Sequence, residues 1–137
     1  MNTKTVIFSL IAAIAAIGIL SAPISAFATK TVNVEVATTD SSAAGTVQIK
    51  IDKDTGSGCD FNPSLATTTK TFSNNFASHS FTNQNINNGD TVCAGAIVQD
   101  GVNNVRWGFE FTTLTAGSGG SVDFTGADKV LLTEHTP

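Results

Sequence analysis

The sequence has no tyrosine, one tryptophan, two histidines, two cysteines, three prolines and a single methionine, Met1. Each scarcity removes a class of chemistry. A blue-copper centre takes two histidines, a cysteine and usually a methionine, and the only methionine opens the chain. The histidines, His79 and His135, stand alone: neither lies in an HExxH zinc motif, and no serine lies in a GxSxG elbow. Two cysteines outside any CxxC spacing are too few for a structural zinc site. Gly56-Ser57-Gly58 lacks the third glycine and the lysine of a nucleotide loop. Charge is scarce as well, at 13% of residues against about 25% in an average soluble protein. Seven basic residues against eleven acidic ones give a net charge of −4, without the clustered basic face of a nucleic-acid binder. The expectation is a protein that is not an enzyme and has no nucleic-acid partner.

The 137 residues are enough for one domain and too few for two ordinary ones. Their first 28 differ from the rest. Lys4 lies in a short polar opening, Thr5 to Leu20 are almost wholly apolar, Pro23 breaks the helix, and Ala26-Phe27-Ala28 supplies the small-x-small pattern cut by signal peptidase. This layout is that of a secretory signal peptide. The apolar run is shorter than the roughly 20 residues that span a bilayer, so the membrane is met only through this segment during export. Cleavage after Ala28 would leave residues 29–137 as a single domain, secreted or held at the cell surface. Its six basic residues against eleven acidic ones give a net charge of −5. Both cysteines, Cys59 and Cys93, lie in that exported part, and an oxidising compartment pairs them. The loop they close is worth about 3.5 kcal/mol in chain-entropy terms.

Period-two alternation runs through the exported part. Val32, Val34 and Val36 form one apolar face; Val47, Ile49 and Ile51 form another. Val105, Trp107, Phe109 and Phe111 make the clearest run and are expected in the core. Shorter strands are expected over 69–73, 79–84, 91–98, 121–125 and 129–133. Asp40-Ser41-Ser42, Asp54-Thr55-Gly56, Asn87-Asn88-Gly89-Asp90, Asp100-Gly101 and Gly117-Ser118-Gly119-Gly120 supply the turns. The pattern predicts an all-β fold: an immunoglobulin-like, two-sheet antiparallel sandwich of about 7–8 strands preceded by the signal helix, with a small closed barrel as the other solution. The likeness to immunoglobulin domains is one of architecture alone. The order here is Cys59, Cys93, Trp107, not Cys–Trp–Cys, and Val92 stands where a tyrosine corner would be.

Three features could carry function. Asp52, Asp54 and Asp60 occupy positions 1, 3 and 9 of a glycine-bearing loop, a partial calcium-loop pattern; Gly56, Ser57 and Pro63 stand where further ligands and the turn glycine would be expected. The alternative is a solvated hairpin turn tethered by Cys59. The segment 66–88 is rich in Thr, Ser and Asn and carries Phe72, Phe76 and Phe81, a composition that suits a glycan-binding face or an ordinary half-buried sheet. The strand holding Val32, Val34 and Val36 begins just after the expected cut. Such a strand can pair within its own domain or insert into a neighbour, which would make the protein a strand-exchange, pilus-like homopolymer. The sequence therefore leaves two classes open: a structural or interaction protein, whose partners are itself or other surface proteins, and a monomeric module binding calcium or glycan. His79 is expected to have an ordinary surface or packing role. No N-glycosylation acceptor is present, because Asn62-Pro63-Ser64 is blocked by its proline.

Overall fold

A computed structural model describes residues 29–39, 45–99 and 106–135. The signal segment, the turns at 40–42 and 100–101, and Val105 lie outside the described residues. So does the side chain of Trp107, whose backbone belongs to a strand.

Nearly everything described is β. Nine strands follow in order: β1 (Thr29–Thr38), β2 (Thr46–Lys53), β3 (Ala66–Thr71), β4 (Phe76–Asn85), β5 (Thr91–Gln99), β6 (Arg106–Thr115), β7 (Ser121–Phe124), β8 (Val130–Leu132) and β9 (Glu134–His135). The only helical element among the described residues is a 3-10 turn over Gly126–Asp128. They form two sheets. The smaller runs β4-β1-β7, with β8 pairing β1 beyond β7; the larger runs β3-β2-β5-β6-β9. Pairing is antiparallel except where β1 runs parallel to β7 and β8.

The two sheets face each other across one apolar core. Val32, Val34 and Val36 of β1 alternate inward with Ala77 and Phe81 of β4, Val122 and Phe124 of β7, and Val130 and Leu132 of β8. The larger sheet answers with Val47, Ile49 and Ile51 of β2 and Val92, Ala94, Ala96 and Val98 of β5. β-Branched residues predominate because their side chains pack well on a pleated, half-buried surface. The first two expected strands therefore sit where their alternation puts them. β3 and β4 begin three residues earlier than expected, and the turn between them is Ser73-Asn74-Asn75-Phe76. Asn74 and Asn75 have φ of 54° and 62°, and Ser73 and Phe76 exchange backbone hydrogen bonds of 2.9 and 3.1 Å. Two consecutive left-handed residues suit Asn, whose short amide tolerates that region. This turn carries the chain from the larger sheet to the smaller one.

Of the strongest alternation in the sequence, Phe109 and Phe111 point the other way from expectation. Phe109 is 39% and Phe111 53% exposed, on the outside of the larger sheet. Register is the cause. β6 pairs with β5 so that Val92 meets Leu114, Ala94 meets Thr112 and Ala96 meets Glu110, while Gly95 meets Phe111. Since Val92, Ala94 and Ala96 face the core, their β6 partners do too, and the phenylalanines must face out. A bulge between Ala96 and Val98 further breaks the register of the run.

Lys30 is the one buried charged residue among the described residues: β1 is interior to its sheet, and Lys30 is only 3% exposed. By parity with Val32 it points inward at the end of the core, where its ammonium donates to Asn88 Oδ1 at 2.9 Å and to the carbonyl of Gly119. Those two acceptors come from different loops, so Lys30 ties the β4–β5 and β6–β7 connections to β1.

The core assignment makes a direct prediction. Ile49→Ala, which empties a fully buried site, should cost about 2–5 kcal/mol in urea unfolding. Thr69→Ala, on the outward face of β3, should stay within about 0.5 kcal/mol. Equal costs for the two would mean that the faces of the larger sheet are assigned the wrong way round.

Candidate functional site

The disulfide loop and the outer face of the larger sheet form one unit. Cys93 lies on β5, and the inward positions there belong to Val92 and Ala94, so its sulfur faces out. The Cys59–Cys93 bridge, with a Cα–Cα distance of 6.4 Å and a sequence separation of 34, draws the 54–64 loop over that face. Phe61 is carried down with it and is buried. Its ring meets Phe109 edge-on at a centroid distance of 5.0 Å and Phe111 at 5.8 Å. Phe109 and Phe111 themselves lie within 26° of parallel, 6.2 Å apart. Edge-to-face and offset geometries are the favourable ones for aromatic pairs, so the three rings hold one another in place.

Gly95 makes room for them. A Cβ built there would stand 2.3 Å from Phe109 Cζ and 3.2 Å from Phe111 Cβ, so the Phe109 ring rests on the bare backbone of β5. The sequence signal for this cluster was present but divided: a glycine inside an apolar strand marks a close approach, while its partner Phe61 lies far away in the chain.

Beside the rings the face turns polar. Gln48 pairs across β2 with Thr69 of β3 and with Ile97 of β5, and these three with Thr46 line a shallow, open concavity of about 290 Å³. Ile97, which also lines the concavity, falls at the β5–β6 bulge, two residues along β5 from Gly95. None of the four lining residues is charged.

The three aspartates of the calcium-like loop are put to separate uses. Asp54 Oδ1 accepts from the backbone N–H of Gly56 at 2.7 Å and of Gly58 at 2.9 Å. Asp52 Oδ2 accepts from Phe61 N–H at 3.1 Å, and Asp60 Oδ1 from Asn62 N–H at 3.0 Å. Asp54 and Asp60 close local turns, the usual role of Asp in such loops, whereas Asp52, at the end of β2, reaches across the loop to Phe61. Among the described residues no group of three or more His, Cys, Asp or Glu side chains gathers in a way that could hold a metal ion. The aromatic residues of 66–88 do not share a face: Phe81 is buried, Phe72 packs partly against the core, and Phe76 is exposed on the smaller sheet.

Val32, Val34 and Val36 stand in the middle of the smaller sheet. β4 pairs along one side of β1 and β7 with β8 along the other, and no pairing joins β4 to either of the latter. The outer side of this sheet carries exposed Phe76 and Leu131 at one end and a polar network around Asn33. Ser80 Oγ donates to Asn33 Oδ1 at 2.6 Å, Asn33 Nδ2 to Asp123 Oδ1 at 2.7 Å, and Ser121 Oγ to Asp123 Oδ2 at 2.9 Å.

His79 is half-buried on β4, its ring edge-on to Phe81 at 4.6 Å. Burial, with the charge of Lys70 adding to it, lowers its pKa below the ordinary imidazole value of 6.5. The unfolded chain therefore takes up this proton at a higher pH than the folded one. The stability that follows is complete above pH 6.5 and is lost as the pH falls below it.

Two predictions rest on these contacts. Melting temperature should decline as the pH is lowered from about 7.5 to about 5.5, with His79→Gln flattening the decline and Lys70→Gln flattening part of it; an unaltered slope in His79→Gln would rule out this account. Gly95→Ala should destabilise by about 1–3 kcal/mol through overpacking. Most of that cost should vanish when Phe109→Ala is already present, and a cost that persists would place the strain elsewhere. Comparison with known proteins finds no matching family model, no matching curated protein and no matching solved structure.

Proposed function

We propose that this is an exported, non-enzymatic structural or interaction protein of the extracellular space or cell surface. In this reading it is an immunoglobulin-like sandwich that assembles with copies of itself, or with other surface proteins, by exchange of β1. The observation that carries the reading is the position of β1. Among the described residues it is the sole ladder joining β4 to the β7–β8 side of the smaller sheet, and it contributes three core valines. Withdrawing it leaves a slot whose two walls do not pair with each other, and only a strand of the same pattern refills it. A strand supplied by a second copy would make the same ladder and bury the same valines. Exchange thus costs little at equilibrium beyond linker geometry, and the contact is heterologous, so it propagates into a fibre unless it closes. The disulfide and the signal segment support an oxidising, external setting.

A monomeric ligand-binding module is the second reading. Its calcium form lacks converging carboxylates among the described residues, but the ring-bearing outer face favours it in another form.

The test uses the facing pair Asn33 and Ser80. The doubly substituted protein, Asn33→Cys with Ser80→Cys, is exported from its native host, oxidised and run without reductant, beside light scattering of the unaltered protein. Strand exchange gives a covalent ladder and large particles whose subunit mass begins at Thr29. Crosslinked monomers only, from a monodisperse monomeric protein, would overturn the assembly.

A further inference from the structure

We propose that the outer face of the larger sheet binds a neutral polysaccharide, with Phe109 and Phe111 as the stacking platform and Thr46, Gln48 and Thr69 as the orienting polar groups. This does not depend on strand exchange. Three observations lead to it.

The first is the exposure of two large rings on a folded strand. Isolated apolar residues at a surface need no explanation, but a paired cluster rimmed by polar side chains marks a binding surface. Here the rings are adjacent, nearly parallel and braced from one side by Phe61. Bracing removes the rotamer freedom that binding would otherwise have to freeze. A fixed pair of exposed rings suits the C–H face of a pyranose ring, which can stack on them while its hydroxyls remain at the rim.

The second is the concavity next to the plate. Its volume of about 290 Å³ lies at the small end of ligand sites, roughly 300–1,000 Å³, and it is open to solvent. That form suits one or two residues of an extended chain. An enclosed small molecule would be less well matched. Gln48 offers both a carbonyl oxygen and an amide N–H₂, and Thr46 and Thr69 offer hydroxyls that donate or accept. Hydroxyl and amide groups of this kind match a polyol, each of whose oxygens also does both.

The third is charge. The lining carries none, and the chain as a whole carries −4, which repels polyanions. Lys50, on the same side of β2 and opposite Gly95 in the ladder, is a single positive charge that adjoins the rings and lies outside the lining. The occupant is therefore neutral. With no titratable group in the lining, the site holds its ligand and does not cleave it.

The test is affinity electrophoresis of the full exported protein in native gels containing dextran, mannan or hydroxyethyl cellulose, with heparin as the anionic comparison. At least one neutral polymer should retard the protein. Phe111→Ala and Gln48→Ala should each weaken that retardation about tenfold or more, whereas Phe76→Ala, on the opposite sheet, should leave it unchanged. Far-ultraviolet circular dichroism establishes that each variant is folded. Retardation by heparin alone, by no polymer, or equally in all variants would overturn the proposal. So would a loss of self-association in Phe111→Ala without any polysaccharide binding, which would assign the face to protein contact.

Discussion

The smaller sheet depends on a single strand. β4 approaches β1 from one side and runs antiparallel to it, whereas β7 and β8 approach from the other and run parallel. Without β1 these strands have no ladder in common, and the inner face they share loses three valines at its centre. The larger sheet is different, because β2 and β5 each pair on both sides and carry seven of the buried aliphatic side chains between them. Cohesion is thus unevenly distributed. One half of the sandwich is a continuous ladder, and the other is held through its middle by one strand.

The disulfide contributes to the half that already has the more continuous ladder. It draws a loop onto the outside of β5, where Phe61 reaches the rings of β6 across the gap left by Gly95. A second, smaller apolar cluster results on a surface that would otherwise be polar. The loop's three aspartates then serve it from within, each accepting from a backbone N–H that the turning chain leaves free. Carboxylates spaced as in an ion-binding loop here accept from the loop's own backbone.

Much of the fold was legible in the sequence because alternation is a local property. Val32–Val36 and Val47–Ile51 announce their strands and their inner faces unaided, and the pairing of Cys59 with Cys93 follows from there being no other candidate. What was not legible is relational. The run ending in Phe109 and Phe111 states that β6 has two faces, yet only its register with β5 says which faces the core. The same holds for Lys30, whose burial depends on β1 being interior and on acceptors from two distant loops. The candidate site was hidden for this reason too: Thr46, Gln48, Thr69, Ile97 and the two phenylalanines come from four strands. The segment with the most suggestive composition, 66–88, scatters its aromatics over different surfaces.

The burial of Lys30 acts as a stop on the position of β1 along its slot. Valines at 32, 34 and 36 are interchangeable in shape, so their packing alone would tolerate a shift by two residues in either direction. An ammonium group does not share that tolerance. A shift in one direction would carry it inward among aliphatic side chains, where an unpaired charge is prohibitive. A shift in the other would draw it away from Asn88 and Gly119. The lysine thus gives a repetitive strand a unique seating, and any β1 that occupies the slot, whichever copy it comes from, is held at the same depth.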